Sequence, residues 1–121
     1  MIVRQVLKAL KHIHSKNISH RDIKPQNILY DPETMKIKLI DFGTSKKFFL
    51  RGSRRDMLTI TGTFDFVAPE VFIGGGYDEK VDIWALGITI FKLVTGSLPF
   101  ESEYRSETIE KIVKGKFSFD N

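Results

Sequence analysis

The 121-residue sequence contains no cysteine, which excludes a disulfide framework and thiolate metal sites and fits an intracellular setting. It also lacks an apolar run long enough to cross a bilayer. The strongest such stretch, residues 81–94, falls short of the ~20 residues a spanning helix needs, and Asp82 and Lys92 interrupt it. A segment apolar on nearly every face is expected instead as a buried core helix. No signal-peptide pattern opens the chain, because Met1-Ile2-Val3-Arg4 runs straight into an amphipathic segment. Repeats, low-complexity tracts and linkers are absent too. These absences point to one domain, or part of one, with no membrane partner and a cytoplasmic or nuclear location.

Negative charge is scarce in one place only. Five of the 19 basic residues (Lys46, Lys47, Arg51, Arg54 and Arg55) and one of the 15 acids (Asp56) lie between positions 44 and 58, so the other 14 and 14 cancel. The net charge of +4 therefore sits in one stretch. A basic loop can contact nucleic acid, yet only Phe48 and Phe49 lie within it to stack on bases. A solvated loop is the preferred reading and nucleic-acid binding the weaker one.

Ile2, Val3, Val6, Leu7, Leu10 and Ile13 recur at helical spacing, which predicts a helix over 2–15. His12 and His14 read as helix-end histidines, since no further metal-binding residue accompanies them at suitable spacing. A strand over 28–30, a turn at Asp31-Pro32 and a returning strand over 37–40 make a hairpin. Asn27 precedes the outgoing strand and Asp41 follows the returning one. Antiparallel pairing brings those ends together, so two oxygen-bearing side chains should face a shared space, as a hard cation such as Mg²⁺ requires. No period emerges from 43 to 63, which reads as a long loop. A short helix opens at Pro69 and Gly74-Gly75-Gly76 breaks it. The core helix runs over about 80–95 with Gly96 as its cap. A last amphipathic helix covers 106–114, carrying Ile109, Ile112 and Val113. The expected class is α+β, mostly α-helical with one short β-hairpin.

Five motifs stand in order along these elements. They are His20-Arg21-Asp22-Ile23-Lys24-Pro25-Gln26-Asn27, Asp41-Phe42-Gly43, Thr61-Gly62-Thr63, Ala68-Pro69-Glu70 and Asp82-Ile83-Trp84-Ala85-Leu86-Gly87. Together they resemble the C-terminal lobe of a eukaryotic serine/threonine protein kinase, over almost the whole sequence and most specifically at 20–43 and 62–100. Lys24-Pro25 after Asp22 is similar to the serine/threonine class rather than the tyrosine class. The stretch from Gly76 to Trp84 resembles the calcium/calmodulin-regulated group, including calcium-dependent kinases, although no calcium-binding loop is present.

The resemblance implies a role for each motif residue. Asp22 would accept the substrate hydroxyl proton, Lys24 would steady the transferring phosphate, and Thr63 would link the two. ATP and Mg²⁺ are the implied cofactors, with Lys24, Asn27, Leu29 and Asp41 around the nucleotide and Asn27 and Asp41 on the metal. Leu29 would form the floor under the adenine; on pattern alone it is a strand core residue. His20 and Phe42 would stack in an apolar column, and Trp84 and Gly87 would pack. Asp82 would tie the core helix to the catalytic loop, and Glu70 would pair with an arginine further along the lobe. Arg21 would receive a regulatory phosphate on Thr59, with Thr61 as the alternative site. The resemblance also calls for a G-x-G-x-x-G loop, a V-A-I-K lysine and its partner glutamate, none of which this sequence contains. The expectation is a partial catalytic domain, 1–121, cut at both ends and without its N-terminal lobe. It would phosphorylate Ser/Thr hydroxyls of protein substrates; the alternative is a non-catalytic kinase-like interaction module.

Overall fold

The computed structural model describes residues 1–50, 52–54, 56–117 and 119. Arg51 and Arg55 of the basic stretch lie outside the described residues. Helix α1 (Ile2–Ser15) leads, and its Val6 and Leu10, one turn apart, are buried. Strand β1 (Ile18–Ser19) is followed by a 3₁₀ turn at Pro25–Asn27 and then by β2 (Ile28–Asp31) and β3 (Lys36–Leu39), paired Ile28 to Leu39 through Asp31 to Lys36. The Asp31 carboxylate accepts from the N–H of Glu33 (2.9 Å) and the hydroxyl of Thr34 (2.6 Å), closing the hairpin turn. Gln5 of α1 clamps the hairpin from behind. Its amide donates to the Met35 carbonyl at 2.8 Å and accepts from the Ile37 N–H at 3.1 Å.

Helix α2 (Pro69–Ile73) starts with proline and ends at Gly74, and all three glycines 74–76 have positive φ. Helix α3 (Val81–Thr95) ends on left-handed Gly96, whose N–H donates to the Lys92 carbonyl at 2.8 Å. Helix α4 (Arg105–Lys114) completes the order and buries Thr108 and Ile112. One core joins Val6, Leu10, Ile23, Leu86, Phe100 and Ile112; a second joins Phe48, Met57, Val67, Val71, Tyr77 and Val81. Trp84 packs against both and stacks on Phe100, ring centres 5.8 Å apart. Each fully buried Leu or Ile contributes about 1.5–3 kcal/mol. Among the described residues no helix is long and apolar enough to cross a membrane.

Four expectations need correction. The stretch 43–63 is not structureless: β4 (Lys46–Lys47) pairs with β1, β5 (Phe49–Leu50) pairs with β6 (Ser53–Arg54), and Met57 bridges Tyr77. The described residues thus carry three two-stranded antiparallel ladders rather than one hairpin. Two-residue strands are too short to leave a period in the sequence, and one partner is distant along the chain. Helix α3 is buried on one face only: Val81, Asp82, Ala85, Leu86, Ile88 and Thr89 are inside, whereas Ile83, Leu93 and Val94 are exposed. Gly87 is exposed as well and has nothing within 4 Å of a built Cβ, so it does not pack. Leu29, a strand core residue by pattern, is half exposed, because the hairpin has a helix behind one face alone.

Candidate active site

Asp82, fully buried in the first turn of α3, shapes the start of the 20–27 segment. Its Oδ2 accepts from the Ser19 hydroxyl (3.1 Å), the His20 N–H (2.9 Å) and His14 Nε2 (2.7 Å), and its Oδ1 from the Arg21 N–H (2.8 Å). Arg21 is held at φ 67°, a left-handed backbone that costs a non-glycine residue about 1–3 kcal/mol. His20 is also fully buried. Its Nδ1 accepts the Asp22 N–H at 3.1 Å, so Nε2 carries the proton and donates to the Ile40 carbonyl at 2.8 Å. Both ring nitrogens are committed, which leaves His20 no acid–base function. The Phe42 ring meets it edge-on at 4.7 Å.

With its backbone fixed in this way, Asp22 becomes the hub of a side-chain network. Its Oδ1 accepts from both the N–H (3.0 Å) and the hydroxyl (2.8 Å) of Thr63. The Asn27 amide donates to its carbonyl (2.8 Å) and to its Oδ2 (3.2 Å). Lys24 Nζ lies 3.8 Å from Oδ2 and donates to Thr63 Oγ1 at 2.7 Å. The structure therefore brings Asp22, Lys24, Asn27 and Thr63 together from positions up to 41 residues apart. An ionised carboxylate so oriented can accept a proton, with an ammonium beside it to meet developing negative charge.

The hairpin delivers the second set. Its ladder continues one step past Ile28 and Leu39, with the Ile40 N–H donating to the Asn27 carbonyl at 3.0 Å, which sets Asn27 beside the residue preceding Asp41. Asp41 is exposed and left-handed (φ 59°), and it accepts from the Gly43 N–H at 3.3 Å. The amide nitrogen of Asn27 is spent on Asp22, and its Oδ1 makes no hydrogen bond among the described residues. Asn27 Oδ1 and the Asp41 carboxylate are hard oxygen donors, the kind that could hold Mg²⁺. That ion completes its shell with water and phosphate.

The protein kinase domain model matches residues 1–120. This chain belongs to the protein kinase family, a class of enzymes. It is 42% identical over 120 residues to a probable myosin light chain kinase of Dictyostelium discoideum, covering 98% of this chain and 34% of the relative. It is 45% identical over 121 residues to the ovarian-specific serine/threonine-protein kinase Lok of Drosophila melanogaster, covering 95% and 25%. Calcium-dependent protein kinase 4 of Plasmodium falciparum is 38% identical over 122 residues, covering 98% and 22%. The chain thus spans about a fifth to a third of the length of the curated relatives it matches. Relatives with myosin-light-chain, calcium-dependent and Aurora kinase names all match, which places the chain in the protein kinase family.

The other motif residues of this kinase chain are placed as follows. Arg21 forms no ion pair among the described residues; its Nε donates to the Thr44 carbonyl (2.6 Å) and Nη1 to the Tyr77 hydroxyl (3.1 Å). Thr59 is exposed and Thr61 half-buried. Glu70, in the first turn of α2, is half-buried without an ion pair among the described residues. Leu29 lines a shallow groove on the hairpin with Tyr30, Ile37 and Lys38. Within the basic stretch, Lys46 and Lys47 are exposed, but Arg54 is locally neutralised: it pairs with Asp78 (3.5 Å) and Glu79 and lies 5.2 Å from the centre of the Phe48 ring. That leaves less free charge for a nucleic acid than the sequence suggested.

Two polar residues escaped the sequence reading. His14 is not merely a helix-end histidine, because it bonds Asp82 and sets its ring edge-on to Phe48 at 6.3 Å. Tyr77 is buried, with its hydroxyl between Arg21 and the Thr59 carbonyl. Neither partner lies near in sequence, so no local pattern could have revealed them.

Proposed function

We propose that residues 1–121 form the C-terminal lobe of a serine/threonine protein kinase catalytic domain. Its reaction is transfer of the ATP γ-phosphate to Ser or Thr hydroxyls of protein substrates. The observation that carries this reading is the hydrogen-bonded unit of Asp22, Thr63, Lys24 and Asn27. Asp22 orients the substrate hydroxyl and takes its proton, while Thr63 holds the carboxylate at a fixed angle. Lys24 meets the negative charge that spreads over the phosphoryl oxygens in the transition state. Asn27 and Asp41 hold the metal from the two ends of the hairpin, and Leu29 offers an apolar platform to the base. When bound, Mg²⁺ and ATP supply the phosphoryl group and a cation to neutralise it. The glycine-rich loop and strand lysine that cradle the triphosphate are, in this reading, contributed from outside these residues.

A binding module without catalysis has no physical need for a threonine hydroxyl held between a carboxylate and an ammonium, and is the weaker reading. The test is phosphoryl transfer to a peptide by the full-length protein. Asp22→Asn should lower kcat by about 10²–10⁴-fold and leave nucleotide affinity unchanged. Asp41→Ala should weaken Mg²⁺-dependent nucleotide binding itself. Normal turnover by either variant would overturn the assignment.

A further inference from the structure

We propose that Tyr77 is a positioning residue whose hydroxyl links Arg21 of the 20–27 segment to Thr59 and so closes the base of the 44–59 segment. Only its expected effect on turnover rests on the kinase reading above; the clasp itself does not. The Arg21 guanidinium donates through Nε to the Thr44 carbonyl at 2.6 Å and through Nη1 to the Tyr77 hydroxyl oxygen at 3.1 Å. That hydroxyl in turn donates to the Thr59 carbonyl. The relay runs in one direction, from cation to phenol to carbonyl, and the cation strengthens the phenol as a donor. One arginine thus holds residue 44 directly and residue 59 through Tyr77.

The surrounding backbone supports the same closure. Tyr77 and Met57 exchange two main-chain hydrogen bonds, at 2.9 and 3.0 Å. Gly76, at φ 94°, allows Asp56 to pass so close that an added Cβ would lie 2.7 Å from the Asp56 Cβ. Beyond Thr59, Gly62 crosses the Arg21 carbonyl where an added Cβ would lie 2.4 Å from the oxygen, and Thr63 then binds Asp22. The short run 60–62 therefore lies between two anchors, one at Thr59 and one at Thr63. If Tyr77 only filled the core beside Met57, Val71 and Val81, its ring would suffice. A buried phenol hydroxyl, however, requires partners, and here both partners belong to the segments being joined. Arg21, without an ion pair among the described residues, finds neutral acceptors instead.

The experiment compares amide hydrogen exchange and peptide phosphorylation in the full-length protein and in Tyr77→Phe, which keeps the ring and removes the hydroxyl. Exchange of the Thr63 amide should rise about 10-fold or more, the loss expected for a hydrogen bond in a charged network. Amides of α3 should exchange as before. Turnover should fall through kcat, with the KM for ATP unchanged. Adding Tyr77→Phe to Arg21→Met should accelerate Thr63 exchange no further than Arg21→Met alone. Unchanged Thr63 exchange, additive losses, or acceleration spread equally through α2 and α3 would each overturn the clasp. A protein that shows the exchange change but never transfers phosphate would keep the clasp and lose the kinase reading.

Discussion

Replacing Asp82 with alanine should be among the most damaging single changes in this chain. The substitution removes a fully buried carboxylate that accepts four hydrogen bonds. Two of the donors, the Ser19 hydroxyl and the His20 N–H, belong to residues that are themselves fully buried. Each would be left without a partner at a cost of about 1–3 kcal/mol. The Arg21 N–H is only part-buried, and the His14 side chain is 17% exposed, so water can replace the carboxylate there at smaller cost. Freed from its anchor, Arg21 can leave its left-handed backbone, which returns about 1–3 kcal/mol. Taking the midpoints of these terms leaves a net loss of about 3 kcal/mol, at the low end of the range for breaking a buried charged network. That is a large part of the ~5–15 kcal/mol that holds a typical domain folded. Trp84, the sole tryptophan, lies two residues on and stacks on Phe100, so its fluorescence reports the unfolding of α3 directly. Urea titration should show the midpoint falling by roughly 2 M, given slopes of about 1–3 kcal/mol per molar. Asp82→Asn, which keeps one acceptor oxygen, should lose less. A loss below about 1 kcal/mol for Asp82→Ala would refute the reasoning, because it would mean the buried donors found other partners without cost.

Gly62→Ala should reduce turnover by about 100-fold, the scale of an ångström-sized misplacement, because its Cβ would meet the Arg21 carbonyl and push Thr63 from Asp22. Gly74→Ala, at a similar positive φ but with open space around it, is the control, and equal losses in the two variants would remove the steric argument. The Asp31 carboxyl lies below its ordinary value of 3.8, chiefly because the Thr34 hydroxyl donates to it and next because the Glu33 N–H does. A lowered folded value means the turn is stabilised by ionised Asp31 above the ordinary value, and that this contribution fades as the pH falls through the folded one. Thr34→Val should move the Asp31 titration, followed by carboxyl NMR shifts, back up towards the ordinary value; an unmoved midpoint would contradict the assignment of cause.

Much of the molecule was legible in the linear order of residues because its signals are local. The spacing of Val6 and Leu10, the proline at the head of α2 and the glycine after α3 each act within one or two helical turns, and the observed bounds match the expected ones to within a residue. The hairpin with Asn27 and Asp41 at its two ends follows from two short strand-forming runs on either side of the Asp31-Pro32 turn. The motif order of residues 20–87 also carries the resemblance to protein kinases, which the family match over residues 1–120 bears out.

What the sequence by itself determined, then, is the helices, the one hairpin and the inventory of reactive groups. Only the tertiary structure decided how those groups are held. Thr63 reaches Asp22, His14 reaches Asp82, and Arg21 reaches Thr44 and, through Tyr77, Thr59, all across separations with no local code. The same holds for the short pairings of Lys46–Lys47 with Ile18–Ser19 and of Met57 with Tyr77, which form because the packed core carries their partners into register. It also holds for the exposed face of α3, where composition predicts burial but only the positions of neighbouring elements settle which side is covered. Hydrophobic content fixes how much surface a helix tends to bury, whereas hydrogen bonds between distant polar groups need a geometry that exists only once the whole chain has packed.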